Sequence, residues 1–337
     1  MKVHLKKIQE QVIVITGASS GIGLTTVRMA AKQGAKVIAA SRNEQVLKDI
    51  CDQITRAGGQ AAYVVADVGQ LDQVERIAAT ARERFGGFDT WVNNAGVSIY
   101  GKIEDISIED ARRLFDTNFW GVVHGSTVAA KHLRQTGGAL INVGSVVSDQ
   151  PIPLQGIYSA SKHAVKGFTD SLRMELEHDR APVSVTLVKP AAINTPYTQH
   201  AKNYMEGDPA FPPPVYAPEV VARTILFCAQ NPRRDIIVGG AGKVMSSGGL
   251  APRLTDRLME SEHFFKSQVK QGRSDRPDAL HAPVNGGKQH GDYEGHVSRS
   301  AVYTEAALRP LVTSALAIGA GLAAGVLLFA SGSIQKE

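Results

Sequence analysis

Tyr158 and Lys162 stand four positions apart in the run Tyr158-Ser159-Ala160-Ser161-Lys162. In a helix that spacing puts both side chains on one face, one turn apart. A free tyrosine, with a pKa of ~10, is a poor base at neutral pH. Bringing it toward ~7 takes about 4 kcal/mol, at ~1.36 kcal/mol per pH unit. One positive charge ~4 Å away supplies about that much at an effective dielectric near ~20. Lys162 carries such a charge, so the pair can hold a phenol ready for proton exchange near neutral pH. Tyr–Lys contacts are common on helix surfaces. The glycine loop described next favours the chemical reading over that bland one.

The loop Thr16-Gly17-Ala18-Ser19-Ser20-Gly21-Ile22-Gly23 follows an apolar run and opens an amphipathic stretch. Its glycines permit a tight turn and a close backbone approach to a pyrophosphate. The helix start behind them offers N–H groups and the positive end of a dipole. The spacing is Gly-x-x-x-Gly-x-Gly rather than the commoner Gly-x-Gly-x-x-Gly. The next apolar run ends at Ala40-Ser41-Arg42. A carboxylate at this place usually holds a ribose 2′-hydroxyl, whereas an arginine accommodates a 2′-phosphate. Arg42 is present and Glu44 lies further on, which favours NADP over NAD as the cofactor.

Groups so far apart in the chain need a scaffold to bring them together. Strand-like apolar runs fall at 12–16, 36–40, 61–65, 90–92, 139–143, 183–188 and 235–238. Segments with helical periodicity lie between them, at 21–33, 44–57, 70–85, 108–133, 158–178 and 218–229. Alternation of this kind predicts βαβ units and a parallel sheet. The expected fold is therefore α/β: a Rossmann-like, doubly wound parallel sheet of about seven strands with helices on both faces. Ligands then bind outside the carboxyl ends of the strands.

Asn93-Asn94-Ala95-Gly96, Asn118, Ser145 and Tyr158-x-x-x-Lys162, together with the glycine loop, resemble the short-chain dehydrogenase/reductase family in its compact single-domain branch. The likeness runs over roughly residues 8–245, and Ser145 precedes Tyr158 by the thirteen positions the family uses. It implies an NAD(P)-dependent oxidoreductase acting on a carbonyl or alcohol. Tyr158 would be the general acid/base, and Ser145 would hydrogen-bond the substrate oxygen. Lys162 would lower the Tyr158 pKa and bind the nicotinamide ribose, and Asn118 would hold a water in a relay to Lys162. The same likeness assigns cofactor contacts to Gly17, Ser19, Ser20, Gly21, Ile22 and Gly23, and to Asp67 and Val68 beside the adenine. It adds Asn93, Ala95 and Gly96 after the fourth strand, and Pro190, Ile193 and Thr195 beside the nicotinamide. Ala191 replaces the family's usual glycine after Pro190. Homo-oligomers are also a habit of the family.

Residues 197–216 are expected to form a lid. Tyr197, Tyr204, Met205, Phe211 and Tyr216 make it apolar, which suits a lipophilic substrate. The stretch 254–265 is amphipathic and either caps the domain or mediates dimerisation. Cys51 and Cys228, a lone distant pair, exclude a disulfide framework and fit a reducing compartment. The net charge of +5 is modest, and no nucleic-acid motif accompanies it. No metal is expected, since His281, His290 and His296 lack regular ligand spacing. The chain divides into a catalytic domain at 1–265, a polar linker at 266–309 and an apolar helix at 310–331. That last segment has the length and the lack of charge of a transmembrane helix. Arg299 and Arg309 before it place the catalytic domain on the cytoplasmic side of the membrane. Two other functions share the fold: a non-catalytic nucleotide-sensing module, and a sugar-nucleotide epimerase or dehydratase. The complete set of four residues opposes the first, and the glycine spacing and short substrate region oppose the second.

Overall fold

The computed structural model describes residues 3–240 and 251–308. Its centre is a seven-stranded sheet: β1 (Val12–Thr16), β2 (Lys36–Ser41), β3 (Gln60–Val65), β4 (Thr90–Asn93), β5 (Gly138–Val143), β6 (Val183–Pro190) and β7 (Asp235–Val238). The spatial order is β7-β6-β5-β4-β1-β2-β3, and every neighbouring pair is parallel. Strand sequences such as Val-Ile-Val-Ile-Thr are buried along their whole length. Near-continuous Val/Ile runs are what a parallel sheet covered on both faces requires.

Helices α1 (Gly21–Lys32), α2 (Glu44–Arg56), α3 (Leu71–Phe85), α4 (Ile108–Phe115), α5 (Gly121–Thr136), α6 (Gly156–His178) and α7 (Pro218–Cys228) supply the covering. Side chains of β1 alternate between the faces. Ile13 and Ile15 pack with Leu24, Leu47 and Val221 of α1, α2 and α7. Val12 and Val14 pack with Val74, Ile77 and Leu133 of α3 and α5. The order reverses beside β1, between β2 and β4, which opens the crevice where ligands of such sheets bind.

Two expectations change. The single helix expected at 108–133 is two helices joined by a π-helical turn, Asp116–Trp120, which carries Asn118. One extra residue per turn there rotates the chain locally, a device that often marks functional positions. The stretch 266–308, expected as a linker, lies along the domain instead. Val269–Lys270 pairs with Asp208–Pro209, Val297–Ser298 pairs with Val215–Tyr216, and Leu280 is fully buried. Its polar composition signalled solvation. The structure uses its backbone as hydrogen-bonding surface, which composition cannot reveal. Helices α8 (Pro252–Met259), α9 (Glu262–Ser267) and α10 (Val302–Leu308) complete the described chain. Among the described residues no helix is long and apolar enough to cross a membrane. The apolar segment expected at 310–331 lies outside the described residues.

Candidate active site

Three of the four catalytic candidates meet beyond the carboxyl ends of β5 and β6. Ser145 follows β5, and its Oγ accepts the Val147 N–H at 3.3 Å. Its own N–H is held by Ser148 Oγ at 3.2 Å, which fixes the backbone carrying the hydroxyl. Tyr158 and Lys162 lie in the first turns of α6, as their spacing predicted. The Lys162 ammonium sits 5.7 Å from the centre of the Tyr158 ring and donates to the Val143 carbonyl at 2.9 Å. All three line one cavity.

The electrostatics differ from the expectation. Burial raises the Tyr158 pKa, and the neighbouring hydroxyls of Tyr197 and Ser145 oppose that rise without cancelling it. Burial pushes the Lys162 ammonium down to about 8. The ammonium is engaged by a backbone carbonyl and lies over the ring. In the protein alone, Tyr158 is therefore held as the neutral phenol.

Asn118 is completely buried, and its amide is committed to protein partners. The Oδ1 accepts the Val97 N–H at 2.8 Å, and Nδ2 donates to the Val97 carbonyl at 3.0 Å and to Ser161 Oγ at 3.2 Å. Its side chain thus ties the turn after β4 to α6.

The glycine loop lies at the crevice and is shaped by close contacts. Gly17 has φ +67°, and a Cβ there would lie 2.7 Å from Ala95 Cα. A Cβ on Gly23 would meet the Gly17 carbonyl oxygen at 2.1 Å. No side chain of the N-cap residue Ser20 closes the start of α1. Ser19, Ser20, Gly21, Ile22, Arg42, Asp67, Val68, Ala95 and Gly96 line a second cavity of about 200 Å³, and Pro190, Ile193 and Thr195 lie on the catalytic side. The two cavities share Ile22, Asn94, Gly96, Thr195 and Tyr197, so one cleft runs from Arg42 to Tyr158. Ala191 sits without difficulty, its N–H bonded to the Val238 carbonyl at 2.9 Å.

Asn93 is placed otherwise than expected. It turns into the core and bonds Trp91 Nε1 at 2.7 Å and Asn142 Oδ1 at 2.9 Å. Its neighbour Asn94 faces the cleft instead, with Nδ2 donating to the Thr16 carbonyl at 3.0 Å. β4 ends at Asn93, and the chain turns there, so the two adjacent asparagines point different ways. Asp67 is paired with Arg113 on α4, a residue 46 positions away that no local pattern singles out. Burial pushes the Asp67 carboxyl up, but Arg113 and the Gly69 N–H outweigh it and leave the pKa below the ordinary value.

The catalytic cavity measures about 470 Å³ and is walled by Val146, Val147, Ile152, Phe211, Met259 and Phe264. Met259 of α8 and Phe264 of α9 show that the 254–265 stretch caps the domain here. Tyr197, Phe211 and Pro212 to Pro214 supply lid surface, whereas Tyr204 turns to Asp110 at 2.7 Å. Tyr216 is buried, its hydroxyl accepting the Gly240 N–H at 3.0 Å. Tyr197 has a polar role that its place in an apolar lid did not reveal. Its ring meets that of Tyr158 edge-on at 5.5 Å, and its hydroxyl donates to Gln155 Oε1 at 3.1 Å. Gln155 in turn donates to the fully buried Gln268 at 3.3 Å. These partners are 42 and 113 positions apart, beyond any local signal.

The family profile described as short chain dehydrogenase matches residues 11–206. An uncharacterized oxidoreductase of Bacillus subtilis, YxnA, is 48% identical over 323 residues, covering 94% of this chain and 91% of that protein. A 3beta-hydroxysteroid dehydrogenase of Mediterraneibacter gnavus is 32% identical over 58% of this chain and 70% of its own length. The structure of L-sorbose reductase from Gluconobacter frateurii, complexed with NADPH and L-sorbose, is similar with a TM-score of 0.61 and 25% identity. That likeness covers 71% of this chain and 98% of the reductase.

Proposed function

The chain belongs to the short-chain dehydrogenase family and is an oxidoreductase, and on that premise we propose that it is an NADP-dependent enzyme interconverting a lipophilic ketone or aldehyde and its alcohol. The observation that carries this reading is the single cleft joining the glycine loop to Ser145, Tyr158 and Lys162. Its residues fit a nicotinamide dinucleotide: Gly17 and Gly23, where a Cβ would strike Ala95 and the Gly17 carbonyl, let the loop turn tightly enough for Ser19, Ser20, Gly21 and Ile22 to line the cleft that Arg42 also borders. When bound, the cofactor supplies or accepts the hydride at the substrate carbon.

The remaining chemistry belongs to side chains of this protein. Ser145 Oγ donates a hydrogen bond to the substrate oxygen and stabilises charge developing there. Tyr158, held as the phenol, gives its proton to that oxygen during carbonyl reduction and recovers it in alcohol oxidation. Lys162 contacts the ribose, a reading supported by Nζ lying 3.8 Å from the Cβ position of Gly96 at the cleft. Arg42 supports NADP, since the end of β2 carries an arginine and no carboxylate, and the nearby Asp67 is taken up by Arg113. A cavity of about 470 Å³ with Val, Ile, Phe and Met walls excludes water and favours an apolar substrate.

Tyr158→Phe should abolish turnover while leaving NADP⁺ affinity nearly unchanged; surviving turnover would overturn the mechanism. A screen of lipid-like carbonyls with NADPH tests the substrate class, and activity confined to small polar aldehydes would defeat it. The uncharged segment 310–331 acts as a membrane anchor. Deleting residues 310–337 should move the protein from the membrane to the soluble fraction with catalysis retained, and full-length protein found wholly in the soluble fraction would remove the anchor.

A further inference from the structure

We propose that residues 277–291 form a further wall of the dinucleotide cleft, a strap that covers its adenosine half and lifts to let cofactor in and out. This deepens the oxidoreductase reading and rests on it.

The strap is joined to the glycine loop by backbone hydrogen bonds. Gly287 N–H donates to the Ser19 carbonyl at 2.8 Å, and Gly21 N–H donates to the Lys288 carbonyl at 2.9 Å. A Cβ on Gly286 would lie 2.8 Å from the Ser19 oxygen and 3.2 Å from Val46 Cγ2, so the crossing is as close as a glycine allows. Gln289 grips α1, accepting from Arg28 at 2.6 Å and donating to Thr25 Oγ1 at 3.1 Å. Asn43, at the start of α2, donates to the Val284 carbonyl at 3.0 Å.

At its other end the strap meets the residue assigned to the 2′-phosphate. Arg42 donates to the carbonyls of Ala279 and Leu280, and Arg113 Nε also donates to the Leu280 carbonyl at 3.1 Å. Leu280 is fully buried, and His281 pairs with Asp110 at 2.6 Å. A guanidinium has five N–H donors, so two bonds to the strap fix its plane and leave three for an anion. The strap thereby acts on Arg42 as a positioning element.

The geometry is that of a cover rather than a plug. The strap bonds the rim of the loop, and a cavity of about 200 Å³ remains beneath it. Gly17, Arg42 and Asp67 bound that space on one side, and Ala279, Pro283, Val284 and Gly286 on the other. The cavity continues past Asn94 and Tyr197 to the catalytic side. Leu280 and Ala301 are the buried apolar side chains of the described 268–308 stretch, so the strap is held mainly by hydrogen bonds. A segment held in that way can open locally without unfolding the domain.

Hydrogen exchange on the full-length protein, with and without NADP⁺, tests the proposal. Amides at 286–289 should exchange at least ten-fold more slowly with NADP⁺ bound. Faster exchange would mean that cofactor expels the strap, and unchanged exchange would mean that it binds elsewhere; either overturns the proposal. Gln289→Ala removes two hydrogen bonds of ordinary strength, and the NADP⁺ dissociation rate should rise about ten-fold. Gly286→Val should act in the same direction through steric contact. Dissociation rates unchanged in both variants, with melting temperatures retained, would also overturn it. A wild-type protein that binds no NADP⁺ would overturn the oxidoreductase reading as well. Tight binding with an unresponsive strap would overturn the strap alone.

Discussion

Lys162→Met offers the most demanding test, because stability and catalysis should move in opposite directions at neutral pH. Lys162 is 4% exposed, and burial lowers its pKa from 10.5 to about 8. Below pH ~8 the folded protein therefore carries an ammonium that the unfolded chain would hold in water at a lower free energy. At ~1.36 kcal/mol per pH unit the cost is about 3 kcal/mol. Methionine has similar length and no charge, so the variant escapes that cost. It also leaves the Val143 carbonyl without the ammonium, which costs about 1–3 kcal/mol. The net expectation at pH 7 is a variant between equal to wild type and about 2 kcal/mol more stable, yet catalytically crippled.

The sign of the pH dependence follows from the direction of the shift. Between pH ~8 and ~10.5 the unfolded chain binds more protons at this site than the folded one, so wild-type stability gains with pH there. The variant has no such gain. Its advantage should shrink by about 3 kcal/mol across that window, or ~6–12 °C of relative Tm for a domain of this size. Melting curves of both proteins at pH 7, 8, 9 and 10 read it directly. A difference in Tm that stays constant across those pH values would refute the buried, depressed ammonium, as would a variant several kcal/mol less stable at pH 7.

Tyr197→Phe removes the neighbouring hydroxyl whose influence lowers the Tyr158 pKa, so the rising limb of alcohol oxidation should move to higher pH. A change in KM with an unmoved pH profile would reduce Tyr197 to cavity lining. Asn118→Ala should lower stability by about 2–5 kcal/mol, because it strands the buried N–H and C=O of Val97. An unchanged Tm with a fall in kcat would return Asn118 to a purely proton-relay role.

The sheet was legible because parallel strands buried on both faces must be Val/Ile runs, and because amphipathic helices repeat between them. The glycine loop and the Tyr158–Lys162 spacing were legible for a similar reason: each is a local geometric requirement written within a few residues. The π-helical turn at Asn118 was not, since one added residue in a helical ladder leaves the apolar period almost intact. Asn93 and Asn94 were indistinguishable by type, and only the end of β4 between them leaves one in the core and the other at the cleft.

Pairings across the chain needed the tertiary structure altogether. Arg113 reaches Asp67 and Tyr197 reaches Tyr158 because the fold brings together elements that share no local pattern. The direction of the Tyr158 shift belongs here too. The sequence established that an ammonium stands one helical turn away, but the sign depended on where Lys162 Nζ points and how much water is excluded. The 266–308 stretch makes the same point on a larger scale. A Gly-, Ser-, His-, Asp- and Arg-rich composition describes side chains, whereas its contacts with Ser19 and Gly21 use the backbone, which every residue carries alike. By itself the sequence determined the scaffold and the identity of the reacting groups. Their protonation, their partners and the wall over the cleft were decided by burial and long-range hydrogen bonding, which exist only once the chain has folded.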